Sequence, residues 1–474
     1  MYNAYITRIK NMHKHPNADR LQIGECFGNA VIVSMEYEDN QLGVYFPSDG
    51  QLSVEFAEAN NLLRKKDENG NNVGGYMDPD KRNVTAIKLR GEKSDGLFLP
   101  LKSLESFGDI STLREGDRID NFNGHEICCK YIPRKQSRRG NYSEGNKTRK
   151  KKVAVAPLFA EHADTEQLAY NLSAFKPGDE IEITLKMHGT SQRTGYLLVF
   201  KGYKRTLWDK ITRKEGKPIY DWGYVSGTRR TVLEDFEGGY YGSNEFREAH
   251  SKFFEGKLNK NETVYYEVVG FTHTGTPIMS SGDNKKLNDK DFVKQYGQET
   301  VFSYGCLPNG LSRGEIWKEI YTDPYGERTF IDKPQSDIYV YRMTMTNEDG
   351  FTVEYTPDFM RYRCEQMGVK CVPVFAKGII SNNQIHVTTT DGRDIDYIGT
   401  IGDRVKDIAE EYYDGPDPIG KTHIREGVVV RIVNRPKFCA YKHKSWFFKA
   451  LEGIVKVEAE TPDIEEAESV TEDN

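Results

Sequence analysis

The sequence lacks any apolar run close to the ~20 residues that a membrane-spanning helix needs. Its start, Met1 to Arg8, also lacks the apolar stretch of a secretory signal peptide. Cysteine is scarce, with seven in 474 residues and no Cys-x-x-Cys pair, which disfavours a disulfide framework and a zinc or redox motif. We therefore expect a cytoplasmic protein without a membrane partner, in which the cysteines are small buried side chains.

A strong excess of either charge is also missing, since 66 Lys and Arg oppose 72 Asp and Glu. The two signs are unevenly placed. Residues 457–474 hold eight acidic side chains and no basic one, whereas residues 130–152 hold ten basic side chains and one acidic one. The basic run is poor in apolar residues and is predicted to be a flexible linker. A solvated linker and a contact with a polyanion both explain its charge. The acidic tail is expected to be disordered.

The length of 474 residues is enough for two or three domains. Short apolar runs separated by turn residues fill the first ~120 residues, a spacing typical of a small antiparallel barrel. Residues 56–66 have apolar side chains at helical spacing and are predicted to form a helix. Beyond the basic run, strands mix with a few helices, which indicates one large α+β domain. Its predicted strands are 180–185, 196–200, 263–269, 338–345 and 427–433.

One lysine stands where an apolar strand ends. Ile181, Ile183 and Leu185 lead into the sequence Lys186-Met-His-Gly189. A deprotonated lysine beside a bound triphosphate can attack the α-phosphorus, and a glycine three residues later lets the backbone turn tightly. Such a lysine needs desolvation or neighbouring cations to lose its proton. The pattern Lys-x-x-Gly is weak by itself, because an exposed lysine before a β-turn produces it as well.

Further charged and aromatic residues follow this lysine, most of them beside or inside apolar strands. They are Arg229 and Arg230 in a loop of small residues, then Glu267, Tyr341, Glu426, Lys442 and Lys444. A carboxylate in an apolar strand is costly unless it is paired, hydrogen-bonded to a sugar hydroxyl or near a metal. Two guanidinium groups in one loop suit phosphate or ribose. Lysines two residues apart on a strand point to the same side and reach the same phosphates.

Each of these residues also has an ordinary structural explanation. Taken singly, Glu267 and Glu426 fit salt-bridge partners at a sheet edge better than ligands. A strand tyrosine such as Tyr341 is more often part of the core, and Lys442 and Lys444 fit a solvated strand face. The order and spacing of the whole series favour a binding site instead.

The series resembles the successive motifs of the covalent nucleotidyltransferases, which include ATP-dependent RNA ligases, DNA ligases and capping enzymes. It is most similar to the RNA ligases in Lys-x-His-Gly with Thr-Ser after it, in Gly-Thr-Arg-Arg, and in Lys-x-Lys-Ser with Phe-Phe-Lys-Ala-Leu-Glu-Gly after it. Residues 159–167, upstream of the lysine, are similar as well. The resemblance covers most of residues 153–455. It departs at Leu185, where many of these ligases have glutamate.

The resemblance implies an ATP-dependent RNA ligase. Lys186 would take AMP from ATP as lysyl-AMP, the AMP would pass to an RNA 5′-phosphate, and a 3′-hydroxyl would then displace it. The expected cofactors are ATP and Mg²⁺ or Mn²⁺. The expected partners are RNA ends, in a nicked duplex or in broken RNA, and the expected state is a monomer.

The resemblance also implies roles for the other residues of the series. Glu267 would hold the ribose hydroxyls, Tyr341 would stack on adenine, and Glu426 would help to bind the metal, with Glu267 as a second ligand. The remaining nucleotide-binding residues would be His188, Gly189, Arg229, Arg230, Lys442 and Lys444, of which the last two face the triphosphate.

The amino-terminal region has two segments similar to OB-type domains, residues 12–23 and residues 90–101. The second is also similar to RNA ligases with an amino-terminal OB module. The Pro-Asn-Ala-Asp sequence in the first segment is equally good turn chemistry. No third ligand lies near His13 and His15, which are predicted to be surface side chains.

The expected fold class is therefore α+β. An OB-type β-barrel is expected in residues 1–129, and a larger nucleotidyltransferase domain of antiparallel sheets and helices in residues 153–456. The basic linker 130–152 would join them, and the acidic tail 457–474 would follow.

Two other functions remain open. A DNA ligase or a capping-type guanylyltransferase uses the same lysine chemistry, but it usually carries its OB domain after the transferase domain, and little chain remains after Lys444. A non-catalytic OB-fold RNA-binding protein would use the large domain as a degenerate scaffold. The intact set of Lys186, Glu267, Glu426, Lys442 and Lys444 disfavours that second alternative.

Overall fold

The computed structural model describes residues 2–66, 72–131, 154–162, 165–206, 216–233, 236, 244–272, 278, 294, 320–322, 328–330, 336–419, 424–451 and 455–456. The acidic tail and all but the first two residues of the basic linker lie outside these ranges. The chain divides into two compact units, which are Met1–Glu144 with Lys449–Asn474 (unit 1) and Gly145–Phe448 (unit 2). The domain boundaries expected from the sequence stay predictions.

Unit 1 is built mainly from short strands. In chain order they are β1 (Ala4–Arg8), β2 (Lys10–Lys14), β3 (Leu21–Cys26), β4 (Asn29–Ser34), β5 (Leu42–Phe46), β6 (Gly50–Leu52), β7 (Lys65–Lys66), β8 (Asn72–Gly74), β9 (Asn83–Val84), β10 (Ala86–Leu89), β11 (Glu92–Ser94), β12 (Leu97–Pro100), β13 (Arg118–Ile119), β14 (Asn121–Phe122), β15 (His125–Glu126) and β16 (Cys128–Lys130). The helical segments are α1 (Val54–Ala59) and the 3₁₀ turns Leu101–Phe107 and Ile110–Thr112.

These strands pair into several small antiparallel sheets, of which the largest has the order β12-β5-β1-β13. Ile6, Val44, Phe46 and Phe56 meet in its apolar core. The pairings in the described part of the unit do not close into one barrel. The unit is therefore strand-rich and antiparallel, and the OB-type barrel stays a prediction.

Two local predictions in unit 1 were wrong. The helix expected over residues 56–66 ends at Ala59, because Asn60 caps it and Asn61 takes a left-handed φ of 56°. His15 is buried rather than exposed. Its Nε2 lies 3.2 Å from the Leu89 carbonyl and its Nδ1 accepts the Asn17 amide at 3.0 Å, so both ring nitrogens are satisfied by backbone.

Unit 2 has longer strands and more helix. Its strands are β17 (Glu166–Gln167), β18 (Glu180–Leu185), β19 (Thr190–Lys204), β20 (Lys217–Gly227), β21 (Val232–Leu233), β22 (Glu262–Gly270), β23 (Ile320–Thr322), β24 (Arg328–Phe330), β25 (Ser336–Thr346), β26 (Thr352–Glu354), β27 (Lys370–Cys371), β28 (Val374–Ile380), β29 (Gln384–Thr389), β30 (Asp394–Ile398), β31 (Gly427–Ile432) and β32 (Cys439–Lys444). Its helices are α2 (Glu245–Phe253), α3 (Pro357–Met367), α4 (Ile401–Tyr412) and the start of α5 (Trp446–Leu451), with 3₁₀ turns at Leu168–Tyr170 and Leu172–Ala174.

Past α5, the chain forms β33 (Val455–Lys456), which pairs in parallel with β10 inside unit 1. Each strand that the sequence predicts in unit 2 is present, although several are longer than expected. Within the described residues, no helix is long and apolar enough to cross a membrane.

Two seven-stranded sheets organise unit 2. The first has the order β17-β32-β31-β18-β28-β29-β30, and the second has the order β21-β20-β19-β22-β25-β26 with β27 beside β25. Val405 and Ile408 of α4 belong to the apolar core of the first sheet, and Met360 and Cys364 of α3 belong to that of the second. The chain passes from β18 in one sheet to β19 in the other through residues 186–189. The predicted lysine motif therefore lies where the two sheets are joined.

Candidate active site

The ends of three neighbouring strands bring the charged residues of the motif series together. β18 pairs antiparallel with β31, and β31 pairs antiparallel with β32, so that Gly427 lies opposite Lys444. The Lys186 amide, just past β18, donates to the Gly427 carbonyl at 3.0 Å. Lys186, Glu426 and Lys444 consequently lie at the same end of the first sheet, although the chain separates Lys186 from Glu426 by 240 residues.

Glu426 is the centre of a cluster that we call the acid–base cluster, formed by Lys186, His188, Glu426 and Lys444. Lys186 Nζ lies 2.5 Å from Glu426 Oε1, and Lys444 Nζ lies 3.2 Å from the same oxygen. His188 Nδ1 lies 3.0 Å from the other oxygen, Oε2. Phe448 packs edge-on against the His188 ring at 4.7 Å. Both carboxylate oxygens are thus occupied by basic side chains.

Burial makes this cluster electrostatically strong. The Glu426 side chain is 4% exposed and that of Lys186 is 21% exposed. Burial alone would raise the pKa of Glu426, but Lys186, Lys444 and His188 outweigh it and hold the pKa well below its usual range. The lowered pKa keeps Glu426 in its charged form, and Lys186 Nζ is held against the carboxylate.

Two glycines allow the backbone to approach closely around the cluster. Gly427 has a φ of 146°, and a Cβ there would lie 2.0 Å from the His443 carbonyl oxygen. A Cβ on Gly189 would lie 2.3 Å from the Val268 carbonyl oxygen. Any other residue at either position would push the neighbouring strand away. Gly189 of the predicted motif is therefore required by packing between β22 and the start of β19.

Glu267 and Tyr341 lie on the second sheet, beside the start of β19. Ser191 pairs with Glu267 across β19 and β22. A β-bulge in β25 leaves Tyr341 as the extra residue, and its hydroxyl lies 2.8 Å from Ser191 Oγ. Burial raises the pKa of Glu267 to about 7, despite the opposing charges of Lys186 and Arg229. No hydrogen bond or ion pair to this carboxylate is formed among the described residues.

The loop with Arg229 and Arg230 is held by an arginine that sequence reasoning missed. The buried Arg193 guanidinium donates to the Arg229 carbonyl at 2.5 Å and to the Arg230 carbonyl at 3.5 Å. It stacks on Phe159, with its central carbon 4.3 Å from the ring centre. Both loop arginine side chains are exposed, and the charge of Arg229 acts on Glu267 and Tyr341. The signal available in the sequence was that Arg193 is the one charged residue in the first eleven residues of β19.

A second missed residue, His162, connects this loop to Tyr341. Its amide donates to the Arg229 carbonyl at 3.1 Å, and its ring centre lies 5.1 Å from that of Tyr341. Its Nδ1 lies 3.2 Å from a guanidinium nitrogen of Arg342. His162 lies within residues 159–167, which the sequence marks only by resemblance.

The structure thus gathers the predicted residues into two adjoining groups. Lys186, His188 and Lys444 each contact Glu426, and Glu267 and Tyr341 lie beside Ser191 on the second sheet. Lys442 is half-buried two residues before Lys444 on β32. Leu185, which stands where many of the similar ligases have glutamate, is a buried side chain at the end of β18. Its backbone amide donates to the Pro373 carbonyl at 2.9 Å. No group of three or more metal-ligating side chains occurs within the described residues.

No family model and no curated protein matches the chain. The structure is similar to solved structures of an RNA ligase from Naegleria gruberi. A lysine-to-alanine mutant of that ligase with ATP and Mn is 16% identical, covering 96% of this chain and 98% of that chain, with a TM-score of 0.52. The same ligase with PPi is 15% identical, covering 94% and 97%, also with a TM-score of 0.52.

The chain has an RNA ligase fold. The likeness extends over nearly the whole of both chains, so it includes both units of this protein. At 15–16% identity the likeness establishes the architecture of the chain.

Proposed function

We propose that this protein is an ATP-dependent RNA ligase in which Lys186 is the nucleophile. The observation that carries the proposal is the position of Lys186 Nζ, 2.5 Å from the buried Glu426 carboxylate at the junction of the two sheets. A salt bridge that serves only stability gains little from such burial, because desolvation offsets much of the attraction. A perturbed ion cluster in a fold that supports nucleotide chemistry is a candidate catalytic site.

In the first step Lys186 Nζ, after losing a proton to solvent, attacks the α-phosphorus of ATP. A phosphorus–nitrogen bond forms, the bond to the β-phosphate oxygen breaks, and pyrophosphate leaves. Glu426 orients the amine, while Lys444 and its strand neighbour Lys442 offset charge on the phosphates. Positioning and electrostatics of this kind dominate phosphoryl transfer.

The nucleoside would lie along the second sheet. Tyr341 offers a ring next to the adenine position, and Arg229 and Arg230 contact the ribose or phosphates from their exposed loop. Glu267 accepts hydrogen bonds from the ribose hydroxyls, and His188 and Gly189 complete the pocket around Lys186. This assignment is supported by the placement of Glu267, Ser191 and Tyr341 on adjoining strands.

The residues present also fit a divalent metal ion, Mg²⁺ or Mn²⁺. Glu267 is an oxygen donor whose raised pKa indicates poorly compensated charge, and Mg²⁺ commonly uses one or two carboxylates together with phosphate oxygens. Glu426 is held by Lys186, His188 and Lys444, so we assign Glu267 as the primary ligand. Glu426 becomes available once Lys186 carries AMP and has lost its positive charge. When bound, the ion would offset the negative charge of the ATP phosphates.

The later steps transfer AMP from Lys186 to an RNA 5′-phosphate, and a 3′-hydroxyl then attacks that phosphate, releases AMP and forms the phosphodiester. Covalent catalysis divides one difficult condensation into easier steps. Unit 1 is proposed to be the OB-type domain that contacts RNA, with the basic linker 130–152 as a further contact. A cytoplasmic location and a monomeric state complete the proposal.

The proposal is tested by incubating the protein with ATP labelled at the α-phosphate and separating the products on a denaturing gel. We expect a labelled protein band, its loss in Lys186→Ala, and its retention in Lys370→Ala, which changes an exposed lysine paired with Asp337. Nicked RNA should then be sealed. Labelling by GTP alone would indicate a capping enzyme, and preference for DNA ends a DNA ligase. Absence of label with any nucleotide would leave a non-catalytic RNA-binding protein.

A further inference from the structure

Two residues of the acid–base cluster each have a sequence neighbour that contacts the same helix. Arg425 directly precedes Glu426, and His443 directly precedes Lys444. Both neighbours contact residues 410–414, the last turn of α4 and the two residues after it, which we call the α4 end. Glu426 and Lys444 therefore have a common structural support.

His443 ties the end of β32 to this support. It points away from the side of β32 that carries Lys444, because successive residues of a strand face opposite sides. It pairs across the sheet with Val428, which lies in the apolar core shared with α4. Its Nε2 lies 3.2 Å from Glu410 Oε1, and its ring stacks on that of Tyr413, with centres 5.1 Å apart and planes 14° apart. The α4 end thus holds the residue next to Lys444.

Glu410 is a charged partner for His443. Lys406, one turn earlier on α4, places its Nζ 2.7 Å from the same carboxylate oxygen. Burial would raise the pKa of Glu410, but His443 and Lys406 outweigh it and hold the pKa at about 2. Since a carboxylate only accepts hydrogen bonds, His443 Nε2 is the donor. The contact is therefore a hydrogen bond to an anion, which is stronger than one between neutral groups.

Arg425 ties the chain just before Glu426 to the same support. Its guanidinium donates to the Tyr412 carbonyl at 2.9 Å and to the Asp414 carbonyl at 3.1 Å. The last carbonyl groups of a helix have no partner within the helix, and a cationic side chain satisfies them well. The guanidinium also stacks on Phe375, with its central carbon 4.5 Å from the ring centre. These contacts fix the residue next to Glu426.

The two supported segments meet at the acid–base cluster. Gly427 lies opposite Lys444, and the Ser445 amide donates to the Glu426 carbonyl at 2.9 Å. Lys444 Nζ lies 3.2 Å from Glu426 Oε1. A shift of either segment relative to α4 would change this distance. Misplacement by about 1 Å can slow a catalysed step about a hundredfold.

We propose that the α4 end positions Glu426 and Lys444 for the transfer of AMP to Lys186. Arg425 and His443 are the positioning residues, and they act through their neighbours rather than on the nucleotide. Negative charge moves onto the leaving pyrophosphate in the transition state, so a displaced Lys444 costs more in rate than in ATP binding. The inference rests on the proposed ligase function.

The first test measures the single-turnover rate of AMP attachment as a function of ATP concentration. We expect His443→Leu and Arg425→Gln each to lower the maximal rate about tenfold, and to change the ATP concentration at half-maximal rate less than about twofold. His443→Gln keeps a donor for Glu410 and should retain most of the rate. Lys406→Gln is the matched control, because it removes the other cation of Glu410 and leaves His443 in place. It should label at the wild-type rate.

A double-mutant cycle separates positioning from a general loss of stability. If His443 acts through Lys444, then His443→Leu should have little further effect on the rate in a Lys444→Gln background. A tenfold loss in that background as well would overturn the inference, as would a wild-type rate in folded His443→Leu. Should His443→Leu fail to fold, the rates of Arg425→Gln and His443→Gln still decide the question.

Hydrogen exchange gives a readout that needs no ligase activity. We expect the amides of residues 439–444 to exchange about tenfold faster in His443→Leu than in the wild type, and at the wild-type rate in Lys406→Gln. Unchanged exchange in His443→Leu would overturn the support of β32 by α4. Faster exchange in a protein that takes no label from ATP would refute the ligase function and uphold that support, so the two failures are distinguishable.

Discussion

Glu426 and Glu267 are carboxylates of one candidate site, but they belong to different sheets and their pKa values are shifted in opposite directions. Burial disfavours the charged form of both. Glu426 is contacted by Lys186, His188 and Lys444, and its pKa is held well below the usual range. The charges of Lys186 and Arg229 lower the pKa of Glu267, but neither side chain contacts its carboxylate among the described residues. Burial outweighs them and raises the pKa to about 7.

This difference indicates two roles for one residue type. Carboxylates whose surroundings push their pKa values apart usually divide the chemical tasks of a site. Because its pKa is held well below the usual range, Glu426 is charged at neutral pH and can pair with Lys186 throughout. Glu267 has a pKa near neutral pH. A cation or a sugar hydroxyl that arrives with the nucleotide would stabilise the charged form of its carboxylate. The predictions below test this contrast.

The largest effect is expected from Glu426→Gln. The change removes the anion that orients Lys186 and leaves two lysines and His188 without their common partner, so covalent labelling by ATP should fall about a thousandfold. Glu262→Gln is the matched control, because Glu262 is also buried and ion-paired, 2.8 Å from Arg363, but lies outside the site. We expect that variant to melt earlier and to retain labelling. Equal labelling in Glu426→Gln and the wild type would show that Glu426 is not needed for the attachment of AMP.

The second effect concerns stability and pH. The folded pKa of Glu267, about 7, exceeds the ordinary value of 4.5, so the folded state holds a proton that the unfolded state lacks between these values. The free energy of unfolding should therefore fall as pH rises through this window, by about 3 kcal/mol at about 1.4 kcal/mol per pH unit. Glu267→Gln should lack this loss.

Urea unfolding of wild type and Glu267→Gln at pH 5 and pH 8 measures this difference. Because other groups titrate equally in both proteins, the comparison isolates Glu267. Identical pH dependence in the two proteins would show that the pKa of Glu267 is not raised on folding. The proposed difference between Glu267 and Glu426 would then be wrong.

The smallest effect is expected from Tyr341→Phe. This change removes the 2.8 Å hydrogen bond with Ser191 Oγ and keeps the ring, so ATP affinity should fall about fivefold, or about 1 kcal/mol. Tyr341→Leu removes the ring as well and should weaken ATP binding further. Titration calorimetry of the Lys186→Ala background measures binding without turnover. Equal affinities of the Phe and Leu variants would show that the ring does not contact the nucleotide.

The sequence predicted those parts of the site that depend on where strands end. Strand 180–185 is β18 without change, and Lys186 follows it as expected. The sequence could not supply the pairing of β18 with β31, which brings Glu426 across 240 residues to the lysine. Register between distant strands depends on tertiary packing rather than on local pattern.

The sequence was less informative where polar residues act through backbone contacts. Arg193 supports the Arg229–Arg230 loop through carbonyl groups, which carry no sequence signature. His15 looked exposed because its burial depends on the Leu89 carbonyl, 74 residues away. The early end of α1 was visible in principle, since two consecutive asparagines follow Ala59 and asparagine tolerates left-handed backbone.

The most direct measurement is identification of the labelled residue. The protein is incubated with ATP and magnesium, digested, and its peptides are examined by mass spectrometry for an added AMP. We expect AMP on the peptide that contains Lys186, attached at its side-chain nitrogen, and none in Lys186→Ala. AMP attached to another lysine, with Lys186 unmodified, would contradict the central claim.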